Sequence, residues 1–169
     1  MILGIDPGLQ GAVVCIDKDG KVEYTYDMPT VYIQIGSKTK SIYDISGLRN
    51  ILSKLNSEEK HDVVYVEKTQ ALPPGIRVQA SWGLGKCEGL LEGMLAMNYI
   101  SYEFVKPKKW QAHFGITKAK GDKKVQSYMI ASQLFPEAVL TTPRGRKLDG
   151  RSEALLIAEF GRRHLQGVL

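Results

Sequence analysis

The sequence predicts a mixed α/β domain, on three observations. Short β-branched runs follow one another at the start of the chain, and a continuous apolar run, Val63-Val64-Tyr65-Val66, stands near its middle. Segments with helical spacing of apolar residues alternate with the later runs. A length of 169 residues suits one domain able to bury a core without disulfides or structural metals. No internal repeat, low-complexity tract or linker divides it, so residues 1–169 read as a single unit.

Ile2 to Asp6 and Gly11 to Asp17 are strand candidates, and Lys18-Asp19-Gly20 has the chemistry of a hairpin turn leading to a third strand, Val22 to Tyr26. Met28 to Ser41 carries Pro, Gly, Ser and Thr and reads as a loop able to move. In Asp44 to Leu55 the apolar residues Ile45, Leu48, Ile51, Leu52 and Leu55 lie on one helical face. Val63 to Val66 has the pattern of a central strand covered on both faces, and it ends at Glu67. After Leu72-Pro73-Pro74-Gly75, a long helix is predicted from Ile76 to Asn98. Its Gly85, Gly89 and Gly93 share one face, where another helix of the chain or a second subunit could come close. Tyr99 to Val105 is a strand candidate. A helix follows from about Asp122 to Leu134, with Val125, Met129, Ile130 and Leu134 predicted inward, and a last helix runs from about Asp149 to His164.

A hydrophobic fraction of 43% with 24% charged residues is ordinary for a soluble globular protein, and no apolar run is long enough to span a bilayer. Asp6-Pro7-Gly8 interrupts the apolar N-terminus before it could serve as a secretory signal, so the expected location is the cytoplasm. Cys15 and Cys87 read as reduced core thiols. The net charge of +5 is unevenly distributed: Lys106 to Arg151 holds eleven Lys and Arg against three acids. Such a segment fits a phosphate-binding face, and also an ordinary solvated surface.

Asp6 and Glu67 each close an apolar strand, and Pro7-Gly8 leaves room beside the first for a phosphate. Ionised acids at the ends of buried strands need a cation or donors nearby, although either alone reads equally well as an exposed turn residue. Asp149 and Glu153 lie four apart on one face of the last helix. That pair reads equally as N-terminal capping, but the apolar continuation Ala154-Leu155-Leu156-Ile157-Ala158 directs Glu153 toward an enclosed place.

In order along the chain, Gly4-Ile5-Asp6-Pro7-Gly8 with Gly11-Ala12, Val64-Tyr65-Val66-Glu67, Lys106-Pro107 with Trp110 and Phe114-Gly115, Lys123 with Leu134-Phe135-Pro136, and Asp149-Gly150-Arg151-Ser152-Glu153 continuing to Gly161 resemble the RuvC-like Holliday junction resolvases. The resemblance is nearest to the phage-encoded and organellar branch. It implies a ribonuclease-H-like fold, with a central mixed five-stranded sheet flanked by helices. It also implies a homodimer that nicks opposed strands of four-way junction DNA, including a phage-encoded enzyme acting in a host cytoplasm. Carried over by position, Asp6, Glu67, Asp149 and Glu153 are catalytic metal ligands for two ions of Mg²⁺, with Mn²⁺ as a substitute, and Lys123 matches a catalytic basic residue near the cleaved strand, where it would balance developing negative charge. Lys108, Lys109, Lys118, Lys120, Lys124, Arg144, Arg146 and Lys147 would hold DNA phosphates.

The four-residue spacing of Asp149 and Glu153 departs from the three-residue spacing of bacterial members. Lys68-Thr69-Gln70-Ala71-Leu72 stands where those members carry a wedging aromatic, which leaves Gln70 or Leu72 to probe the junction core. Trp82 and Trp110 read as core residues, and His61, His113 and His164 as surface or packing residues. A nuclease of broader branched-DNA or flap specificity and a non-cutting branched-DNA binder are the alternatives. Four retained carboxylates weigh against the binder, because negative charge facing phosphates weakens binding.

Overall fold

The computed structural model describes residues 1–58, 63–70 and 78–168. Three antiparallel strands open it, β1 (Ile2–Asp6), β2 (Ala12–Ile16) and β3 (Val22–Asp27). The turn between β2 and β3 is closed by Asp17, whose carboxylate accepts from the backbone N–H groups of Asp19 and Lys21, while Gly20 takes φ +90°. Strands β4 (Thr30–Ile35) and β5 (Lys38–Tyr43) form a separate two-stranded hairpin, followed by α1 (Ile45–Glu58). Next come β6 (Val63–Glu67), α2 (Val78–Met97), β7 (Tyr102–Val105), α3 (Pro107–His113), a 3-10 turn at Lys118–Lys120, α4 (Lys123–Leu134) and α5 (Asp149–Leu165).

The main sheet has the order β3-β2-β1-β6-β7, with β6 parallel to both β1 and β7. It is the mixed five-stranded sheet that the sequence resemblance implied. Alternation along each strand explains why the runs look uniformly apolar. Leu3, Ile5, Val13, Cys15, Val64 and Val66 enter a core on one face with Leu48, Leu52, Leu91 and Leu95 of α1 and α2. Ile2, Ala12, Val14, Ile16 and Tyr65 enter another core with Trp110 and the apolar residues of α5. With both faces covered, neither side of these strands can be polar.

Helix α5 is buried from Ala154 to Gly161 and crosses the sheet at very short range. Gly4 is the reason it can: a methyl group there would overlap the Ala154 carbonyl and the backbone of Ala158. At the start of the helix, a methyl group on Gly150 would likewise overlap the Gln10 carbonyl and Gly11. Two missing side chains thus set the distance between the helix that carries Asp149 and Glu153 and the strand that carries Asp6.

Several expectations need correction. Met28 to Ser41 is not a loop but holds most of the β4–β5 hairpin, and its Ser, Thr and Lys residues are polar because most of the hairpin is exposed. Val125, Met129 and Leu134 do not point inward; they are exposed, and α4 buries Ser127 and Ala131. Trp82 is 69% exposed rather than in the core, with the Lys86 ammonium 5.5 Å from its ring centre. Nothing in the described chain lies against Gly85, Gly89 or Gly93, so no helix of the same chain makes the close approach expected there. The short helix α3 was not foreseen. Trp110 is buried as expected, and so are Cys15 and Cys87. Burial pushes the Cys87 thiol up to about 11, which keeps it protonated and inert. His61 and Leu72 lie outside the described residues. No helix among the described residues is long and apolar enough to cross a membrane.

Candidate active site

Parallel pairing of β1 and β6 brings their C-terminal ends, Asp6 and Glu67, to the same edge of the sheet. Helix α5 begins at that edge, so Asp149 and Glu153 join them from the first turns of the helix. The charges of these groups act on one another. Burial first, then the negative charges of Asp6 and Glu67, push the Glu153 carboxyl up to about 8. Burial and Asp6 push Glu67 up to about 7. Asp6 is also raised, by burial above all, against the opposing pull of the Gly8 N–H and Lys124. Among the described residues, no three acidic, His or Cys side chains stand close enough together to enclose an ion as they are. A cation between the carboxylates would offset the mutual repulsion that helps to raise their pKa values.

Individual contacts orient the acids. The Gly8 backbone N–H donates to Asp6 Oδ1 at 3.1 Å, and the Tyr43 hydroxyl donates to the Pro7 carbonyl at 3.0 Å, which ties the turn after Asp6 to the end of the β4–β5 hairpin. Trp110 is fully buried and donates its indole N–H to Glu67 Oε2 at 2.8 Å. A buried indole usually needs an acceptor, and here that acceptor is a candidate catalytic carboxylate. The core position of Trp110 is legible in the sequence, whereas the acceptor of its N–H is set by packing alone.

The two lysines that open α4 take different positions. Asp122 caps the helix by accepting from the Lys124 backbone N–H at 2.7 Å. Lys123 donates to Gln111 Oε1 at 2.6 Å, and its charge is felt at Glu67. Lys124, expected only to hold phosphate, lies 3.3 Å from Asp149 Oδ2 and acts on Asp6 and Glu153 as well. Lys124 therefore has the more direct hold on the carboxylate cluster.

The remaining basic residues divide. Arg144, Arg146 and Lys147 sit on an exposed loop closed by the Thr141–Lys147 bridge, immediately before Asp149. Lys108, Lys118 and Lys120 are exposed on α3 and the 3-10 turn. Lys109 is not brought to the carboxylates: it lies 3.7 Å from Glu103 and over the Phe160 ring, three turns along α5 from Asp149. Gln70 is exposed just beyond Glu67, and its neighbour Thr69 is tied to Glu88 of α2 through both its backbone N–H and its hydroxyl. His113 packs on Phe114 and Phe160 and contacts Arg163, and His164 contacts the Tyr65 hydroxyl, so both have packing roles.

Two outcomes follow from this arrangement. A carboxyl whose folded-state pKa lies above its unfolded value contributes stability below the unfolded value and loses it as pH rises through the folded one. For Glu67 and Glu153 that window runs from 4.5 to about 7 and about 8. In chelator, Glu153→Gln is therefore expected to melt at least about 2–4 °C above the parent at pH 8 and level with it near pH 4.5; an equal melting temperature at both pH values would contradict the crowding of these acids. Trp110→Phe retains the ring and removes the donor. Loss of this charge-assisted hydrogen bond is expected to lower turnover at this site by about tenfold to a hundredfold. It should also move the acidic limb of the pH profile upward, because the bond holds the Glu67 pKa down. A profile that keeps its position would assign Trp110 to packing alone.

The strand order and the helix α5 laid across the sheet define the ribonuclease-H-like fold. No protein-family model and no curated sequence matches the chain. Solved structures do match it. A Thermus thermophilus RuvC bound to a Holliday junction substrate is similar over 98% of this chain and 96% of its own, with a TM-score of 0.60 and 10% identity. A further Thermus thermophilus RuvC structure gives a TM-score of 0.56 at 13% identity over the same shares of both chains. The yeast mitochondrial Holliday junction resolvase Ydc2 gives 0.51 at 19% identity, over 99% of this chain and 84% of its own.

Proposed function

We propose that this protein is a structure-selective DNA endonuclease that resolves four-way junctions by symmetric, metal-dependent nicking. The observation that carries the reading is the meeting of Asp6, Glu67, Asp149 and Glu153 at one edge of the sheet, three of them with raised pKa values. Acids held this way, whose raised pKa values persist beside Lys123 and Lys124, suit a site completed by positive charge from outside. All four donors are carboxylate oxygens, the chemistry preferred by Mg²⁺ or Mn²⁺. Two such ions would supply Lewis-acid stabilisation at the scissile phosphate and favour ionisation of the attacking water.

The chain's own residues do the rest. Trp110 fixes the rotamer of Glu67, the Gly8 N–H fixes that of Asp6, and Lys123 and Lys124 offset negative charge as it develops on the phosphate. Arg144, Arg146 and Lys147, with Lys108, Lys118 and Lys120 farther round, hold the DNA backbone without reading sequence. The junction as substrate is supported by the likeness to a RuvC that holds one and to a resolvase from yeast mitochondria. A junction cut symmetrically requires two sites related by a two-fold axis. The exposed face of α2, with Gly85, Gly89 and Gly93 between Trp82 and Met97, is where a second copy would pack.

A panel of substrates tests the reading. With Mg²⁺, the four-way junction is expected to be cut at least about a hundredfold faster than a linear duplex, a flap or an RNA–DNA hybrid, because the fit of the branched form to two sites acts on the transition state. Comparable rates on flap and junction would instead establish the broader branched-DNA nuclease.

A further inference from the structure

A cavity of about 400 Å³ opens beside Asp149, between the β1–β2 turn, the end of β3, the β4–β5 hairpin and the loop that precedes α5. Asp149 is the only one of the four carboxylates that lines it, so the cavity adjoins the candidate active site without being part of it. Its chemistry is also different. Met28, 4% exposed, and Leu148 give it an apolar wall, while Gln10, Thr30 and Ser41 supply side-chain donors and acceptors. Tyr32 stands at the rim with 78% of its surface exposed. Arg151 also lines the cavity, but its guanidinium is engaged by both Asp27 oxygens, at 2.6 and 2.9 Å, and by the Val139 carbonyl. Arg146, on the same lining, has no acidic partner among the described residues.

An apolar wall, polar groups at its edges, a free aromatic ring and an unpaired guanidinium match a planar base with hydrogen-bonding edges and an attached phosphate. The volume is near the lower end for sites of small organic ligands, about 300–1,000 Å³, which suits one nucleoside and not a duplex. Bases at a branch point cost less to take out of the stack than bases inside a duplex, because the continuous stacking of the helices is broken there. We propose that this cavity receives the base of one unpaired nucleotide beside the scissile phosphate, with Tyr32 stacking on the base and Arg146 holding the phosphate. The inference rests on the reading of the adjacent carboxylates as a DNA-cutting site. It gives the otherwise unexplained hairpin a role: β4 carries the ring, and β5, through Tyr43, ties the same hairpin to the turn after Asp6.

The test is binding of a fluorescent four-way junction by Asp6→Asn protein, with abasic sites placed one at a time across the branch point. One position is expected to weaken binding about tenfold when its base is removed, the size of one base–aromatic stack. In protein that also carries Tyr32→Ala, the same abasic site should have less than about a twofold effect, whereas Tyr32→Phe, which keeps the stacking face, should restore the full effect. Arg146→Ala should lower the slope of log affinity against log salt by about one. Absence of any sensitive position, or undiminished sensitivity in Tyr32→Ala protein whose circular dichroism matches the parent, would overturn the proposal; an unchanged salt slope would overturn the part assigned to Arg146. Because binding is read, a parent protein that shows this pattern yet never cuts a junction would sink the nuclease and leave the nucleotide site standing.

Discussion

Asp6→Asn is expected to reduce junction cutting at least about a thousandfold, the scale of several kcal/mol of lost transition-state stabilisation, while junction binding is kept or tightened. The substitution is nearly isosteric, and the amide oxygen can still accept the Gly8 N–H that now bonds Asp6 Oδ1. The turn after β1 should keep its shape, and the Tyr43 bond to the Pro7 carbonyl does not involve the altered group. What changes is charge. Asp6 is the acid whose charge raises both Glu67 and Glu153, so it lies at the electrostatic centre of the set. Its removal weakens the attraction for divalent ions and relieves repulsion toward phosphate, which act in opposite directions on cutting and on binding. Nicking assays and gel-shift titrations on one junction measure both. Cutting that survives in Asp6→Asn would remove the carboxylate mechanism.

Gly4→Val should cost more than about 4 kcal/mol of stability, a large part of what a domain of this kind has. Gly4 pairs with Val14 on one side and Tyr65 on the other in the interior of the sheet, and its missing side chain is where α5 crosses. The obstructing atoms are the Ala154 carbonyl and the Ala158 backbone, which cannot rotate away as a flexible side chain would. Helix α5 would have to lift off the sheet, exposing a buried apolar surface from Ala154 to Phe160 and carrying Asp149 and Glu153 away from Asp6. Urea denaturation should show a much lower midpoint or no folded baseline. A variant with the parent's midpoint would mean that α5 does not dock as described.

The fold was legible where periodicity was strong. The opening strands and the run at Val63 to Val66 followed from their short β-branched and apolar character, which burial on both faces of a sheet imposes, and α1 followed from its helical spacing. The β4–β5 hairpin escaped because its residues serve an exposed surface, so Ser, Thr and Lys disguised Val31, Ile33 and Ile35, and Pro29 and Gly36 looked like loop punctuation. Helix α3 was hidden by its brevity and by Pro107, which is well placed in the first turn of a helix but reads as a break in sequence. The face of α4 was misjudged because its inward positions are the small Ser127 and Ala131, where close packing leaves little room for larger side chains.

In the site, strand ends and a shared helical face made Asp6, Glu67, Asp149 and Glu153 candidates, each of which alone reads equally well as a turn or capping residue, and the resemblance joined them into one set. The distinction between Lys123 and Lys124 was not legible. Adjacent helical residues point about 100° apart, and only the cap at Asp122 and the placement of α4 against α5 decide which of the two lies beside Asp149. The bond from Trp110 to Glu67 was equally hidden, because it joins residues 43 apart in sequence through the packing of α3 on the sheet. Trp82 looked like a core residue only because its helix is rich in small and apolar residues on every side.

The most direct test of the account is the map of nicks in one synthetic four-way junction with labelled strands, incubated with the protein and Mg²⁺. The account predicts one nick in each of two opposed strands, at positions related by the two-fold axis of the junction, with ends that a ligase can seal and no comparable cutting of a duplex of the same sequence. Nicks scattered over all four strands, or equal cutting of the linear duplex, would contradict it.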